Sequence, residues 1–211
     1  HLIEELKDFI PHLKEMRFVG GEPLAHKAMY KIAKVVREIK PELKIQVCTN
    51  GSIFNRQVKE ICEKNNMLFS FSLDTIIPEE YQTIRIGGKY DETYSNVEEI
   101  SKIVGSENVT INSTLMSVNS NNIIRLIEYS FKNKFNFFLN TYAKNGRPIT
   151  SPDWGLNKLN KKTIKKVMRD CILFLENNND EGYNMQVKKI LLLLKNTEYA
   201  PKNSWRHVKF K

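Results

Sequence analysis

The sequence lacks any closely spaced pair of cysteines. Its three cysteines, Cys48, Cys62 and Cys171, are odd in number and irregularly spaced, with no CxxC or CxxxC among them. That argues against a disulfide framework and for a reducing, cytoplasmic setting. It also leaves no recognisable cysteine cradle for zinc or an iron–sulfur cluster within this chain. Long apolar runs are missing too: none approaches the roughly 18 residues of a membrane span, and Leu191–Leu194 is flanked by lysines. No signal-peptide pattern is read in the residues that follow His1, which suggest a helix. Of the four histidines, His1, His12, His26 and His207, none falls at the end of an expected strand. No Ser-His-Asp or Cys-His arrangement is evident. Arginine-interleaved aromatic blocks, the stacking platforms of single-strand binders, are absent as well. The formal net charge of +9 therefore reads as solvated helix faces, such as Lys158, Lys161, Lys162, Lys165, Lys166 and Arg169, with nucleic acid not expected as a partner.

What is present suffices for one domain, or for one domain and part of another, in 211 residues of which 41% are hydrophobic. Residues 1–15 carry apolar positions at helical spacing, and Met16–Val19 reads as a first strand. Leu24–Lys40 is an amphipathic helix ended by Pro41, Lys44–Cys48 a second strand, and Asn55–Asn65 a helix. Met67–Leu73 is a third strand that delivers Asp74. A long connection follows, Thr75 to Asp91, of a length often tied to function. Glu92–Val104 is helical, Asn108–Val118 a strand, Asn119–Lys134 a helix, and Phe135–Tyr142 an aromatic-rich strand. Residues 150–157 look like a linker before two helices, Lys158–Asn177 and Met185–Lys195. The domains expected are thus 1–149 and 150–211. Strict alternation of strand and helix specifies a parallel α/β sheet, closed or partly closed into a (β/α) barrel.

In such a sheet ligands bind beyond the carboxyl ends of the strands. Those ends carry Gly20-Gly21-Glu22-Pro23, then Thr49-Asn50-Gly51, then Ser72 and Asp74, then Asn112 and Thr114. The two glycines let the backbone turn sharply and bare its N–H groups. Glu22 supplies a carboxylate that can hold an ammonium, while Ser72, Asp74 and Asn112 can take sugar hydroxyls. The set suits a zwitterionic ligand with a ribose. Each piece has a plainer reading: a tight βα turn, a carboxylate near a helix N-terminus, ordinary turn chemistry at Thr49-Asn50-Gly51, a surface ion pair at Arg85.

Taken in order, these motifs resemble the radical S-adenosylmethionine (radical SAM) enzymes. Gly20-Gly21-Glu22-Pro23 matches their GGEP motif and Thr49-Asn50-Gly51 their TNG. Ser72-Leu73-Asp74 with Arg85 and Gly87-Gly88 looks like their SLD…R…G segment, and Gly146-Arg147-Pro148 echoes the Gly-Arg pair that closes the core of SPASM-type peptide and cofactor maturases. The resemblance covers residues 1 to about 150. It implies a partial, TIM-barrel-like (β/α) barrel with extra C-terminal helices. It implies an oxidoreductase that reductively cleaves SAM at a 4Fe–4S cluster, giving a 5′-deoxyadenosyl radical for hydrogen abstraction in peptide modification or metallocofactor biosynthesis. By the same resemblance Gly20, Gly21 and Glu22 hold the methionyl ammonium, and Ser72 and Thr49 meet the ribose or carboxylate. Arg85 pairs with the carboxylate, and Asp74 or Asn112 lines the ribose side, with Asn50 in the same rim. The implied partners are a peptide or small-molecule substrate and a reductant such as a flavodoxin or ferredoxin, with no membrane. The family's CxxxCxxC loop and first strand are expected before His1, so the chain as given is expected to be inactive. Two other readings compete. One is a non-enzymatic barrel-derived module binding a peptide or an acidic partner through its basic helices. The other is a phosphate cradle at Gly20-Gly21, which the Glu22 carboxylate would oppose by repulsion.

Overall fold

The computed structural model describes residues 2–142 and 154–199. Its centre is a five-stranded, all-parallel sheet in the order β1-β2-β3-β4-β5. The strands are β1 (Glu15–Phe18), β2 (Lys44–Thr49), β3 (Met67–Ser72), β4 (Val109–Leu115) and β5 (Asn136–Thr141). Sequential neighbours pair throughout, with Phe18 opposite Val47, Thr49 opposite Phe71, and Ser72 opposite Asn112, which faces Phe138. Each crossover holds helix: α2 (Lys27–Ile39), α3 (Arg56–Lys64), α4 (Pro78–Ile84) and α5 (Tyr90–Val104), then α6 (Ile123–Lys132). The chain starts with α1 (Leu2–Phe9) and ends with α7 (Lys161–Asn177) and α8 (Glu181–Tyr199). This is the parallel α/β architecture that the alternation of elements predicts.

Burial alternates along the strands in a way that an open sheet covered on both faces would not show. In β4, Val109, Ile111, Ser113 and Leu115 are buried, while Thr110, Asn112 and Thr114 are only partly so. Ile45 and Val47 of β2 and Phe69 and Phe71 of β3 join the first set, packing with Val36, Val58, Val97 and Ile127 from the helices. One face of the sheet is thus the helix-covered core. The other, with Gln46, Ser72, Asn112, Thr114 and Asn140, is the polar lining of a partly closed barrel.

Several boundaries differ from the sequence reading, each for a local reason. Helix α1 stops at Phe9 because Pro11 enters a 3-10 turn, Ile10–His12. Pro23–Ala25 forms another such turn, so α2 begins at Lys27. The connection Thr75 to Asp91 contains α4, with Pro78 in its first turn and Glu79 and Glu80 at its positive end; seven residues are too few to show helical periodicity. Asn119 and Ser120, residue types that suit a helix N-cap before an apolar run, are not used that way. Helix α6 starts at Ile123 with Asn122 at its N-cap position and no side-chain cap bond. Helix α8 begins at Glu181, four residues before the periodic pattern.

The C-terminal helices share the same core through Ile164, Val167, Cys171, Val187 and Ile190. Helix α8 also covers the outer edge of β5 with polar side chains. Gln186 Oε1 accepts the Leu139 N–H at 3.3 Å, Lys189 Nζ donates to the Leu139 carbonyl at 2.5 Å, and the Tyr183 hydroxyl donates to the Phe135 carbonyl. A bare strand edge invites pairing with other chains, and this one is occupied. Gly146-Arg147-Pro148 lies outside the described residues.

Candidate functional site

The first part of the site is the turn after β1. Gly20 and Gly21 adopt φ of +88° and +50°, a region that costs a side-chain-bearing residue roughly 1–2 kcal/mol, and no heavy atom lies within 4 Å of where a Cβ would sit. The glycines are there for backbone conformation and leave the space above them open. The turn delivers Glu22, whose backbone is extended and whose side chain folds back to accept the Leu24 N–H at 3.2 Å. The next strand end completes its environment. Thr49 Oγ1 donates to Glu22 Oε1 at 2.7 Å, and the Asn50 N–H donates to Glu22 Oε2 at 2.8 Å. The carboxylate therefore clasps β1 to β2 at the rim, with three donors on two oxygens that offer about four acceptor positions.

The TNG segment is held in turn. The Gly51 N–H donates to Thr49 Oγ1 at 3.1 Å, the Ser52 N–H to Asn50 Oδ1 at 2.8 Å, and Asn96 Nδ2 of α5 to the Gly51 carbonyl at 2.9 Å. Thr49 is only 2% exposed, and its hydroxyl already has a protein partner on each side.

The second part lies at the ends of β3, β4 and β5. Ser72, Asp74, Arg85 and Asn112 line one open pocket of about 340 Å³ together with Thr114, Met116, Asn140 and Trp154. Arg85 Nη2 donates to Asp74 Oδ2 at 3.1 Å and to the Ser72 carbonyl at 2.9 Å. Asp74 Oδ1 accepts the Thr114 N–H at 2.8 Å. Asn140 Nδ2 donates to Asn112 Oδ1 at 2.5 Å, pairing two amides across the barrel face. Beside this pocket, burial pushes the Tyr94 phenol up, and its hydroxyl donates to the Thr75 carbonyl.

Of the nine residues singled out from the sequence, seven sit at or just beyond strand ends, Arg85 is at the C-cap of α4, and Asn112 lies mid-strand in β4 on the polar face. Glu22, Thr49 and Asn50 form one hydrogen-bonded group beside Gly20 and Gly21; Ser72, Asp74, Arg85 and Asn112 line another. Asn140, Asn119, Met116 and Trp154 escaped sequence reasoning. Asn140 follows the alternation Asn136, Phe138, Asn140, which does not say which face turns inward, whereas Trp154 comes from a segment read only as a linker. Among the described residues no group of three or more His, Cys, Asp or Glu could hold a metal, and no ligand of a 4Fe–4S cluster is assigned among them. Nor is any described helix long and apolar enough to cross a membrane.

A parallel βα wall covered by helices on one face and polar on the other, with a glycine-turned rim, defines a partial (β/α) barrel. The family model of the radical SAM superfamily matches residues 1–130. The chain belongs to the radical SAM superfamily. Among curated proteins it is similar to the GTP 3′,8-cyclase of Clostridium perfringens, 28% identical over 122 residues, covering 57% of this chain and 37% of that protein. It is also similar to the GTP 3′,8-cyclase of Aliarcobacter butzleri, 26% identical over 172 residues, covering 75% and 51%. The chain thus spans about half, or less, of the length of these relatives. Among solved structures, SuiB of Streptococcus suis superposes with a TM-score of 0.62 at 17% identity, over 84% of this chain and 41% of that one. A structure of anSMEcpe with bound AdoMet gives a TM-score of 0.60 at 16% identity, over 83% and 51%. These likenesses bear out the expected fold, a partial barrel of the radical SAM type.

Proposed function

We propose that this chain is the SAM-binding core of a radical SAM enzyme acting in peptide modification or cofactor biosynthesis. The observation that carries the reading is the Glu22 clasp: a carboxylate fixed across two strand ends by Thr49, Asn50 and Leu24, beside two glycines in positive-φ backbone with open space above them. That donor set fits an amino acid head group. One acceptor position on Glu22 remains for an ammonium, and the rim N–H groups suit a carboxylate. When bound with its cluster, SAM supplies on reductive cleavage a 5′-deoxyadenosyl radical for hydrogen abstraction.

The chain's own residues bind and orient. Glu22, Gly20 and Gly21 hold the methionyl ammonium, and Thr49 holds Glu22. Ser72, Asn112 and Asn140 offer hydroxyl and amide groups to the ribose, with Asn50 at the same rim. Arg85, 34% exposed at its side chain, keeps guanidinium N–H groups beyond those spent on Asp74 and Ser72, and these are assigned to the methionyl carboxylate. The substrate class is supported from two directions. The curated relatives are GTP 3′,8-cyclases, and the solved neighbours include SuiB bound to the precursor peptide SuiA and anSMEcpe with Cp18Cys peptide. A one-electron donor of the flavodoxin or ferredoxin kind completes the set of partners. The test is calorimetric titration of SAM into the full-length protein: Glu22→Gln is expected to weaken binding tenfold or more, and unchanged affinity would remove Glu22 from the site.

A further inference from the structure

Asp74 is an acidic residue at the ribose-side rim, yet its hydrogen bonds run into the protein. Its side chain is 9% exposed. One carboxylate oxygen takes the Thr114 N–H of β4 at 2.8 Å, and the other takes Arg85 Nη2 of the α4 C-cap at 3.1 Å. The main-chain carbonyl of the same residue accepts from Asn119 Nδ2 at 2.6 Å. Asn119 is wholly buried and its amide is used at both ends: Nδ2 also donates to the Thr114 carbonyl at 2.9 Å, and Oδ1 accepts the Met116 N–H at 2.9 Å.

The topology shows why such a device is needed. The β3–β4 ladder is paired only as far as Ser72 opposite Asn112. Beyond it the strands splay, and backbone groups at Asp74, Thr114 and Met116 would be left without ladder partners in a buried place, where an unmade hydrogen bond is costly. Asp74 and Asn119 supply those partners from side chains. Asn112 and Arg85, which line the pocket with Ser72 and Thr114, lie on either side of the splay.

We infer that Asp74 and Asn119 are positioning residues, a buried clasp that fixes the splayed ends of β3 and β4 and aims Arg85 into the pocket, without contacting the ligand themselves. The clasp rests on the SAM reading for its purpose but not for its existence. Asp74→Asn keeps the size of the side chain and an acceptor for the Thr114 N–H while removing the charge that holds Arg85. If Asp74 works through Arg85, the two are energetically coupled, because residues that act as one unit do not add.

The experiment is a double-mutant cycle in the full-length protein, combined with amide hydrogen exchange. Asp74→Asn and Arg85→Gln are each expected to weaken SAM binding about tenfold, with the double variant within about threefold of the worse single one. Multiplying effects, near a hundredfold, would mean that Asp74 meets the ligand directly and would overturn the proposal. Independently of SAM, Asn119→Ala is expected to speed exchange of the Met116 amide at least tenfold, while Asn112→Ala leaves it unchanged. Equal protection of Met116 in wild type and Asn119→Ala would also overturn the clasp. If the wild-type protein does not bind SAM, the functional reading fails and the exchange measurement still decides the structural one.

Discussion

Thr49 Oγ1 lies 2.7 Å from Glu22 Oε1, joining the end of β2 to the turn that follows β1. The hydroxyl donates to the carboxylate and accepts the Gly51 N–H, so one buried threonine aligns two motifs far apart in sequence. A carboxylate held by several donors is oriented before any ligand arrives, which lowers the ordering cost of binding.

Thr49→Val removes that donor while conserving shape. It leaves the Gly51 N–H without its acceptor and Glu22 one bond short, at a cost of about 1–3 kcal/mol. Urea unfolding is expected to show that loss, and SAM affinity in the full-length protein is expected to fall severalfold. Thr49→Ser, which keeps the hydroxyl, is expected to recover most of both.

Gly51 and Gly87 both sit at φ of +78°, but in different surroundings. A Cβ at Gly51 would approach Thr93 Cγ2 to 3.1 Å and Phe71 Cδ1 to 3.4 Å, whereas at Gly87 nothing lies within 4 Å. Gly87→Ala is expected to cost roughly 1–2 kcal/mol from backbone conformation alone. Gly51→Ala adds crowding and is expected to cost roughly 2–5 kcal/mol. Paired thermal melts of the two variants check the difference, and equal shifts would contradict it.

Burial pushes the Cys62 and Cys171 thiols up to about 12. In the unfolded chain a thiol loses its proton near pH 8.5. Folding therefore keeps these groups neutral where the unfolded state would ionise, and stability is present in full below about pH 8.5 and lost as pH rises toward 12. Denaturant midpoints measured from pH 8 to 11 are expected to fall, and to fall less steeply in Cys62→Ala relative to its own value at pH 8. In native protein at pH 8, alkylation followed by mass spectrometry is expected to spare both residues.

The edge of β5 is covered by α8 through Gln186 and Lys189. Gln186→Leu leaves the Leu139 N–H without its acceptor beneath an apolar side chain, at about 1–3 kcal/mol. Faster hydrogen exchange at the Leu139 amide and a greater tendency to aggregate are expected, because an uncovered edge pairs with other chains.

The fold was legible because its signals are periodic. Helical spacing in Leu24–Lys40 and apolar runs such as Met67–Leu73 mark βα units, and the glycines and Asp74 punctuate their ends. Helix α4 was not legible, since seven residues inside Thr75–Asp91 carry too little periodicity. At the site, the order of motifs named the rim residues but not their partners. Sequence shows Thr49 and Glu22 as separate candidates for a ligand, while the fold reveals that one holds the other. Asn119 reads as a helix cap from its position before an apolar run, and only the splay of β3 and β4 gives it a different task. Asn140 depends on which face of an edge strand turns inward, a choice fixed by tertiary packing.

The central claim is that the rim built on Glu22 serves radical SAM chemistry. The most direct measurement is quantification of 5′-deoxyadenosine after anaerobic reconstitution of the full-length protein with iron and sulfide, addition of SAM, and reduction with dithionite. Wild-type protein is expected to release 5′-deoxyadenosine well above the protein-free control, and Glu22→Ala to reduce it at least tenfold. Release no greater than the control from reconstituted wild-type protein would contradict the claim.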